Sequence, residues 1–362
     1  MNFHEAQSQW ADDVPLLAGK GVVLPFVEAY KPDEFGADFA MAMDAQPALV
    51  TTSNSGIPAF LTTMIDPAVI KVLLSPNKAA TIFGEVKKGS WLDETAMFPI
   101  VERTGEVTTY GDFAESGHAG LNTNWPQRQS YLFQVVKEYG EREMERAGLA
   151  RINWAAEIDE AAAIQLMKYA NLTYFFGVSG LQNYGLTNDP ALSASLTPAA
   201  KTYGGNKWVN AGVIVATANE IYLDIQSIFL QLVKQSAGLI DQETQLTLAM
   251  SPQSATALTA TNSFNVNVAD LLKKNFPNLK IDTAMQYGAT SSTNPQGIAA
   301  GEMVQMIAGS VEGQDTGYCA FNEKMRQHPI IRAMSSFKQK VTSGSWGAII
   351  RQPFAIASMV GV

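Results

Sequence analysis

The sequence predicts an α+β chain: an extended N-terminal arm, a long two-stranded excursion, a long buried helix, and an α/β layer closed by a final strand. Three observations carry this prediction. Residues 1–79 hold seven prolines and little sustained period, residues 83–139 alternate strand-like runs with a turn-rich polar stretch, and the remainder interleaves helix-period stripes with short β-branched runs. Proline at that density interrupts helices and removes ladder donors. The first stretch therefore reads either as an arm lying across another surface or as an irregular subdomain packed on its own chain.

In the excursion, Met97 to Val101 and Glu106 to Tyr110 read as strands separated by Gly105. The stretch Gly111 to Gln129, with Gly117, Gly120, Asn122, Asn124 and Pro126, reads as turn and loop, and Tyr131 to Val136 as the return strand. An isolated hairpin is marginally stable in water, so the excursion is expected to lie on another surface. Deleting residues 111–129 is expected to leave the core folded.

Glu141 to Ala150 predicts a short helix and Trp154 to Phe176 a long one, with Glu157, Asp159 and Glu160 where the helix dipole favours negative charge. Ile158, Ala162, Leu166, Tyr169 and Phe176 share a face, and the apolar second half predicts burial along the helix. Gly177 ends it, and residues 177–190 are glycine and turn chemistry throughout. Val213 to Gln235 predicts another helix from the stripe Ile214, Ala218, Ile221, Ile225, Ile228 and Leu232, a core face stopped by Gly238. Strands are expected at 244–249, 279–283 and 302–308, helices at 251–259 and 268–275, and a last long strand at Phe337 to Met359, broken at Ser343-Gly344-Ser345.

Composition narrows function. Charged residues are 16% of the 362, while Ser, Thr, Asn and Gln number 88. Desolvating an amide costs far less than desolvating an unpaired charge, so a charge-poor polar surface fits coverage by neighbouring subunits. A net charge of −9 argues against a chain-wide grip on phosphate. Residues 1–79 carry 4 basic and 9 acidic groups, 80–139 carry 5 and 8, and 140–362 carry 16 and 17, so the acidity sits in the first third. The single cysteine, Cys319, fits a reducing compartment and reads as a small buried residue. The N-terminal residues lack the basic and apolar regions of a secretory signal, and no apolar run approaches bilayer length. Asn171-Leu172-Thr173 is read as a chance glycosylation match inside a helix.

The sequence holds only incomplete versions of the patterns that carry catalysis. Gly19-Lys20-Gly21 lacks the spacing of a phosphate-binding loop, and Gly177-Val178-Ser179-Gly180 follows a helix where a nucleophile elbow follows a strand. His4, His118 and His328 are too scattered for a zinc site. Asp12-Asp13 and Asp93-Glu94 lie in loop-like contexts without buried partners. No catalytic, cofactor-binding or metal-ligating residue is assigned, no cofactor is expected, and the chain is expected not to be an enzyme.

The order of parts resembles the major capsid protein of tailed bacteriophages, the Hong Kong 97-like fold. Residues 83–139 resemble its extended loop, or E-loop; Trp154 to Phe176 with the turn ending Gly185-Leu186-Thr187-Asn188-Asp189-Pro190 resembles the spine helix of the peripheral domain. Residues 337–359, with Arg351-Gln352-Pro353-Phe354-Ala355, resemble that domain's closing strand, and 201–311 the axial domain. The resemblance implies an arm at 1–79, an E-loop at 80–139, a peripheral domain with spine helix at 140–200, an axial domain at 201–314 and a return to the peripheral domain at 315–362.

It further implies a virion shell of hexamers and pentamers assembled in the host bacterial cytoplasm around double-stranded DNA that is contacted weakly and non-specifically, with scaffolding, portal and decoration proteins as partners and no membrane. Met1 begins almost directly on the arm, which implies a separate scaffolding protein or none. Lys87 and Lys88 lie at the E-loop base, and nothing near its tip matches the cross-linking pattern of some members, so no cross-linking residues are carried over. An encapsulin-like nanocompartment shell and, more remotely, an α/β enzyme remain as alternatives.

Overall fold

Two sheets organise the molecule, a computed structural model that describes residues 77–113, 115–149, 153–292 and 294–362. The expected arm at 1–79, with His4, Asp12-Asp13 and Gly19 to Gly21, lies outside the described residues except for its last three. In chain order the elements begin with α1 (Ala79–Phe83), β1 (Glu85–Lys87), β2 (Thr95–Met97), β3 (Ile100–Gly105), β4 (Ala119–Asn124), β5 (Gln127–Gln129) and β6 (Tyr131–Gly140). Helices α2 (Glu141–Leu149) and α3 (Trp154–Phe176) follow, then the short pair β7 (Val209–Asn210) and β8 (Val213–Ile214), and α4 (Ala218–Gln235). Next come β9 (Leu246–Met250), α5 (Pro252–Ala257), α6 (Val268–Asn275), β10 (Leu279–Thr283), β11 (Met303–Ala308), β12 (Ser310–Val311) and β13 (Gln314–Asp315). The chain closes with β14 (Gly317–Gln327), β15 (Ile331–Arg332), β16 (Ser336–Ile350) and β17 (Ile356–Val360).

The first sheet runs β1-β14-β16-β15, with β6 also paired to β16. Helix α3 packs on β16 and β6. The second sheet runs β10-β9-β11-β17. Its β9 and β10 are parallel because α5 and α6 carry the chain back between them, whereas β11 pairs antiparallel with both β9 and β17. Helix α4 covers this sheet: Ile221, Ile225, Ile228 and Leu232 are fully buried in one cluster with Leu248, Met250, Val304 and Met306. Each such side chain contributes about 1.5–3 kcal/mol by leaving water. A second cluster joins the two sheets through Phe175 and Leu186 with Tyr287, Ile307, Cys319 and Ile350.

Helix α3, α6 and β10 have the expected limits. Several expectations are corrected. Residues 111–129 are not all turn and loop, since β4 and β5 lie within them, and Met97 to Val101 is divided at Phe98-Pro99 between β2 and β3. Helix α4 begins at Ala218, not Val213, because Thr217 and Glu220 form a capping box that fixes the first turn, and Ile214 falls on a short strand. Helix α3 is not buried along its length: Ala162 and Leu166 are inside on one face and Asn171, Thr173, Tyr174 and Phe175 in the last turns, while Trp154, Met167 and Tyr169 are exposed. Residues 106–110 form no strand, since pairing stops at Gly105 opposite Ala119, and Tyr131 to Val136 pairs with β16 instead of returning along the excursion. The single closing strand is two strands in two sheets. Ser343 to Ser345 continue the ladder of β16, and the break falls at Arg351-Gln352-Pro353, where proline removes a donor and a single 3₁₀ turn redirects the chain to β17.

Candidate assembly surfaces

The turn after α3 positions the rest of the site. Gly177 has φ +63°, and a Cβ there would stand 2.2 Å from the Asn183 carbonyl oxygen. Folding back this closely lets the turn cap the helix: Leu186 N donates to the Tyr174 carbonyl at 2.8 Å, Thr187 Oγ1 to Phe175 at 2.6 Å and Asn188 Nδ2 to Phe176 at 2.6 Å. Carbonyls that a helix end leaves orphaned are thereby satisfied. The same turn reaches the first sheet, with Ala348 N donating to Tyr184 O at 2.9 Å and Asn183 Nδ2 to Ser345 O at 3.0 Å.

The turn then grips the root of the excursion. Arg128 on β5 pairs with Asp189 at 2.6 Å, their side chains 12% and 0% exposed, and its guanidinium lies 4.7 Å from the Tyr184 ring centroid. Gln129 N donates to Gln182 O and Asn183 Nδ2 donates to Gln129 O, both at 3.0 Å. On the other side Trp346, fully buried, donates Nε1 to Lys88 O at 2.9 Å, and Ser130 N donates to Glu94 O at 2.8 Å. The β2–β5 pair therefore leaves the body from a rigid socket.

Beyond the socket the excursion becomes a blade. Every residue of β3 and β4 is exposed. Among the described residues, the hydrogen bonds of residues 100–124 stay within the ribbon or reach only the adjacent Trp125, and no ion pair ties them to the remainder of the chain. Yet the blade is apolar in part: Val107, Tyr110 and Phe113 are 98%, 92% and 100% exposed, with Leu121 at 66%. A single ribbon with large side chains facing water on both sides is marginal on its own. The body shows smaller apolar patches of this kind, Leu223 and Leu230 on the outer face of α4 and Ile330, Ile331 and Met334 at the tip of the β14–β16 hairpin.

Residues 48–361 match the family described as the Pa193 gp26 major capsid protein. The chain belongs to that family. The major capsid protein fold is also found in solved structures. The capsid of Myoviridae phage XM1 is 12% identical, with 85% of this chain and 100% of that chain covered and a TM-score of 0.66. Gordonia phage Cozz is 12% identical over 88% and 98% at 0.54, and the capsid of an empty GTA particle 11% identical over 86% and 100% at 0.53. At these identities the likeness is one of fold. No curated protein matches the chain.

Family membership makes this chain a structural shell protein with the Hong Kong 97-like α+β fold, and sets aside the nanocompartment and enzyme alternatives. The residues weighed for chemistry have structural places. Cys319 is fully buried, and burial pushes its thiol well above the usual range. Asn171 is buried and accepts from Ala79 N at 3.0 Å, anchoring α1. His328 is half-buried against Thr342 at 3.1 Å, and His118 is exposed in the blade. Asp93 accepts from Ser90 N at 2.6 Å, a local turn, and Lys87 and Lys88 flank the socket, Lys87 3.8 Å from Glu323. Sequence reasoning missed the Arg128–Asp189 socket pair, because 61 residues separate two charges that no local pattern relates. No helix among the described residues is long and apolar enough to cross a membrane.

Proposed function

We propose that the excursion, residues 95–129 within the expected 80–139, is the E-loop of the shell subunit and reaches across neighbouring copies. What supports this is the combination of a rigid socket with a blade whose Val107, Tyr110 and Phe113 are almost wholly exposed. Helix α3 (Trp154–Phe176) serves as the spine helix of a peripheral domain over 140–200, and the second sheet with α4 to α6 as the core of the axial domain over 201–314. Residues 315–362 return through the peripheral domain, with β17 crossing to complete the axial sheet. Residues 1–79 act as the arm. Copies meet through axial domains as hexamers and pentamers and enclose double-stranded DNA inside the host cytoplasm, with scaffolding, portal and decoration proteins as further partners. An acidic chain, net −9, lets packaged DNA sit inside without adhering to the wall.

The test replaces residues 106–118 by Asn-Gly, a two-residue turn that suits the paired ends Gly105 and Ala119. This cut spares β5, so it is cleaner than removing 111–129, which would take Arg128 from its socket. The variant is expected to keep the thermal melt of the unassembled chain and to give no closed particles by electron microscopy. Shells of normal yield and stability would sink the assignment.

A further inference from the structure

The distal part of the β14–β16 hairpin, residues 324–340, carries charge of one sign. From Lys324 to Lys340 the sequence holds five lysines and arginines and no carboxylate, in a chain of net charge −9. Three of the five are engaged within the subunit: Lys324 with Glu85 at 2.5 Å, Arg332 with Glu141 at 3.3 Å and Lys338 with Glu138 at 2.9 Å. Arg326 lies 5.1 Å over the Trp91 ring, and among the described residues neither Arg326 nor Lys340 has a carboxylate partner. A guanidinium stacked on an aromatic face still presents its N–H edge. Beside these cations stand Ile330, Ile331 and Met334, 60%, 69% and 101% exposed.

The blade has the opposite charge and a matching apolar content. Residues 100–124 carry Glu102, Glu106, Asp112 and Glu115 against Arg103 alone. Two of these carboxylates accept local hydrogen bonds, Asp112 from Tyr110 at 2.9 Å and Glu102 from Asn122 at 3.4 Å, and none of the four is ion-paired among the described residues. Both surfaces thus pair exposed aliphatic or aromatic side chains with unneutralised charge of opposite sign.

We propose that the cationic β14–β16 hairpin of one copy is the counter-surface for the acidic blade of a second copy, and that the contact is salt-labile. This rests on the reading of the blade as an inter-subunit arm. Exposed aliphatic residues at the hairpin tip favour a protein partner over a polyanion, since phosphate backbone offers them nothing to bury against. Exposed ion pairs are individually weak, so the electrostatic part acts by summing several pairs, guiding register and disfavouring wrong approaches.

Three variants of the full chain test it: Arg326→Glu with Lys340→Glu, Glu106→Lys with Asp112→Lys, and all four together. Each double reversal is expected to lower the yield of closed particles in ~0.15 M salt by about tenfold, and the quadruple variant to recover to within about twofold of wild type. Thermal melts of the unassembled variants check folding. Independently, raising salt from ~0.1 to ~1 M should dissociate wild-type shells; a flat response overturns the proposal, as does wild-type assembly of both double variants or a quadruple variant no better than either. Shells that assemble normally from the hairpin variant but hold less DNA would make the hairpin a nucleic-acid contact and sink the pairing. If replacing residues 106–118 also leaves assembly intact, the reading of the blade itself falls; if that replacement blocks assembly while the reversals do not, only the pairing falls.

Discussion

Arg128 and Asp189 show how much one pair can decide. With Asp189 fully inside and Arg128 nearly so, the pair gains little over a well-packed apolar contact, but removing one partner strands a buried charge at a cost of about 3–5 kcal/mol. Arg128→Ala is therefore expected to lower stability by ~3 kcal/mol in denaturant melts and to loosen the blade root, read as faster hydrogen exchange at Gln129; an unchanged midpoint would show the socket to be passive. Glu220 gives a pH-dependent counterpart. Hydrogen bonds from Thr202, then from the Thr217 cap, hold its carboxyl down at about 2, below the ordinary 4.5. A lowered folded pKa contributes stability that is complete above pH 4.5 and is lost as pH falls toward about 2. At neutral pH wild type should thus melt above Glu220→Gln, with the gap closing across that window; a gap that stays constant to pH 2 would refute the assignment. Starting the helix at Val213 passed over the Thr217-x-x-Glu220 signature, and no local pattern relates Thr202, 18 residues upstream, to Glu220.

Legibility at the level of elements follows the range of the forces involved. The limits of α3, α6 and β10 were readable because an Asn N-cap, a C-terminal glycine or the alternation of Leu279, Ile281 and Thr283 states them locally. The start of α4 was misplaced because Ile214 fits the apolar stripe by spacing alone, and the division of 337–359 between two sheets depends on partners that only the tertiary fold supplies. The arrest of β3 at Gly105 was equally hidden, since Glu106 to Tyr110 has strand composition but finds no facing strand. The 177–190 turn was recognised from its glycines, yet its role as a hub was not. A Cβ on Gly185 would meet the Phe175 carbonyl carbon and oxygen at 2.2 Å, a clash with backbone that no rotamer relieves. Gly185→Ala should push the turn off the helix end and destabilise the chain by several kcal/mol, about as much as a severe core substitution; a melt within ~0.5 kcal/mol of wild type would mean the turn can move freely.

At the scale of the whole molecule, the residues that close the core and those proposed to drive assembly are different. The body closes its own core: Tyr287 donates to Gln305 Oε1 at 2.6 Å, Gln305 Nε2 donates to Leu186 O at 3.1 Å, and apolar clusters run through both sheets, so the two sheets hold together without a neighbour. The blade closes nothing, since both its faces meet solvent and a two-stranded ribbon is marginal alone. Charge scarcity fits this division: at 16% charged residues, the surface left by the body can be covered at low desolvation cost. Hydrogen exchange should therefore separate the two. In the unassembled chain, amides of β9, β11 and β16 should exchange through global opening while those of residues 100–124 exchange through local opening near zero free energy. In shells the blade amides should slow by at least about tenfold, and those of β9 and β11 should change little, because these two strands are already buried in the unassembled chain. Equal slowing throughout would mean that assembly stabilises the body itself, and a blade already protected in the free chain would mean that it folds without a neighbour.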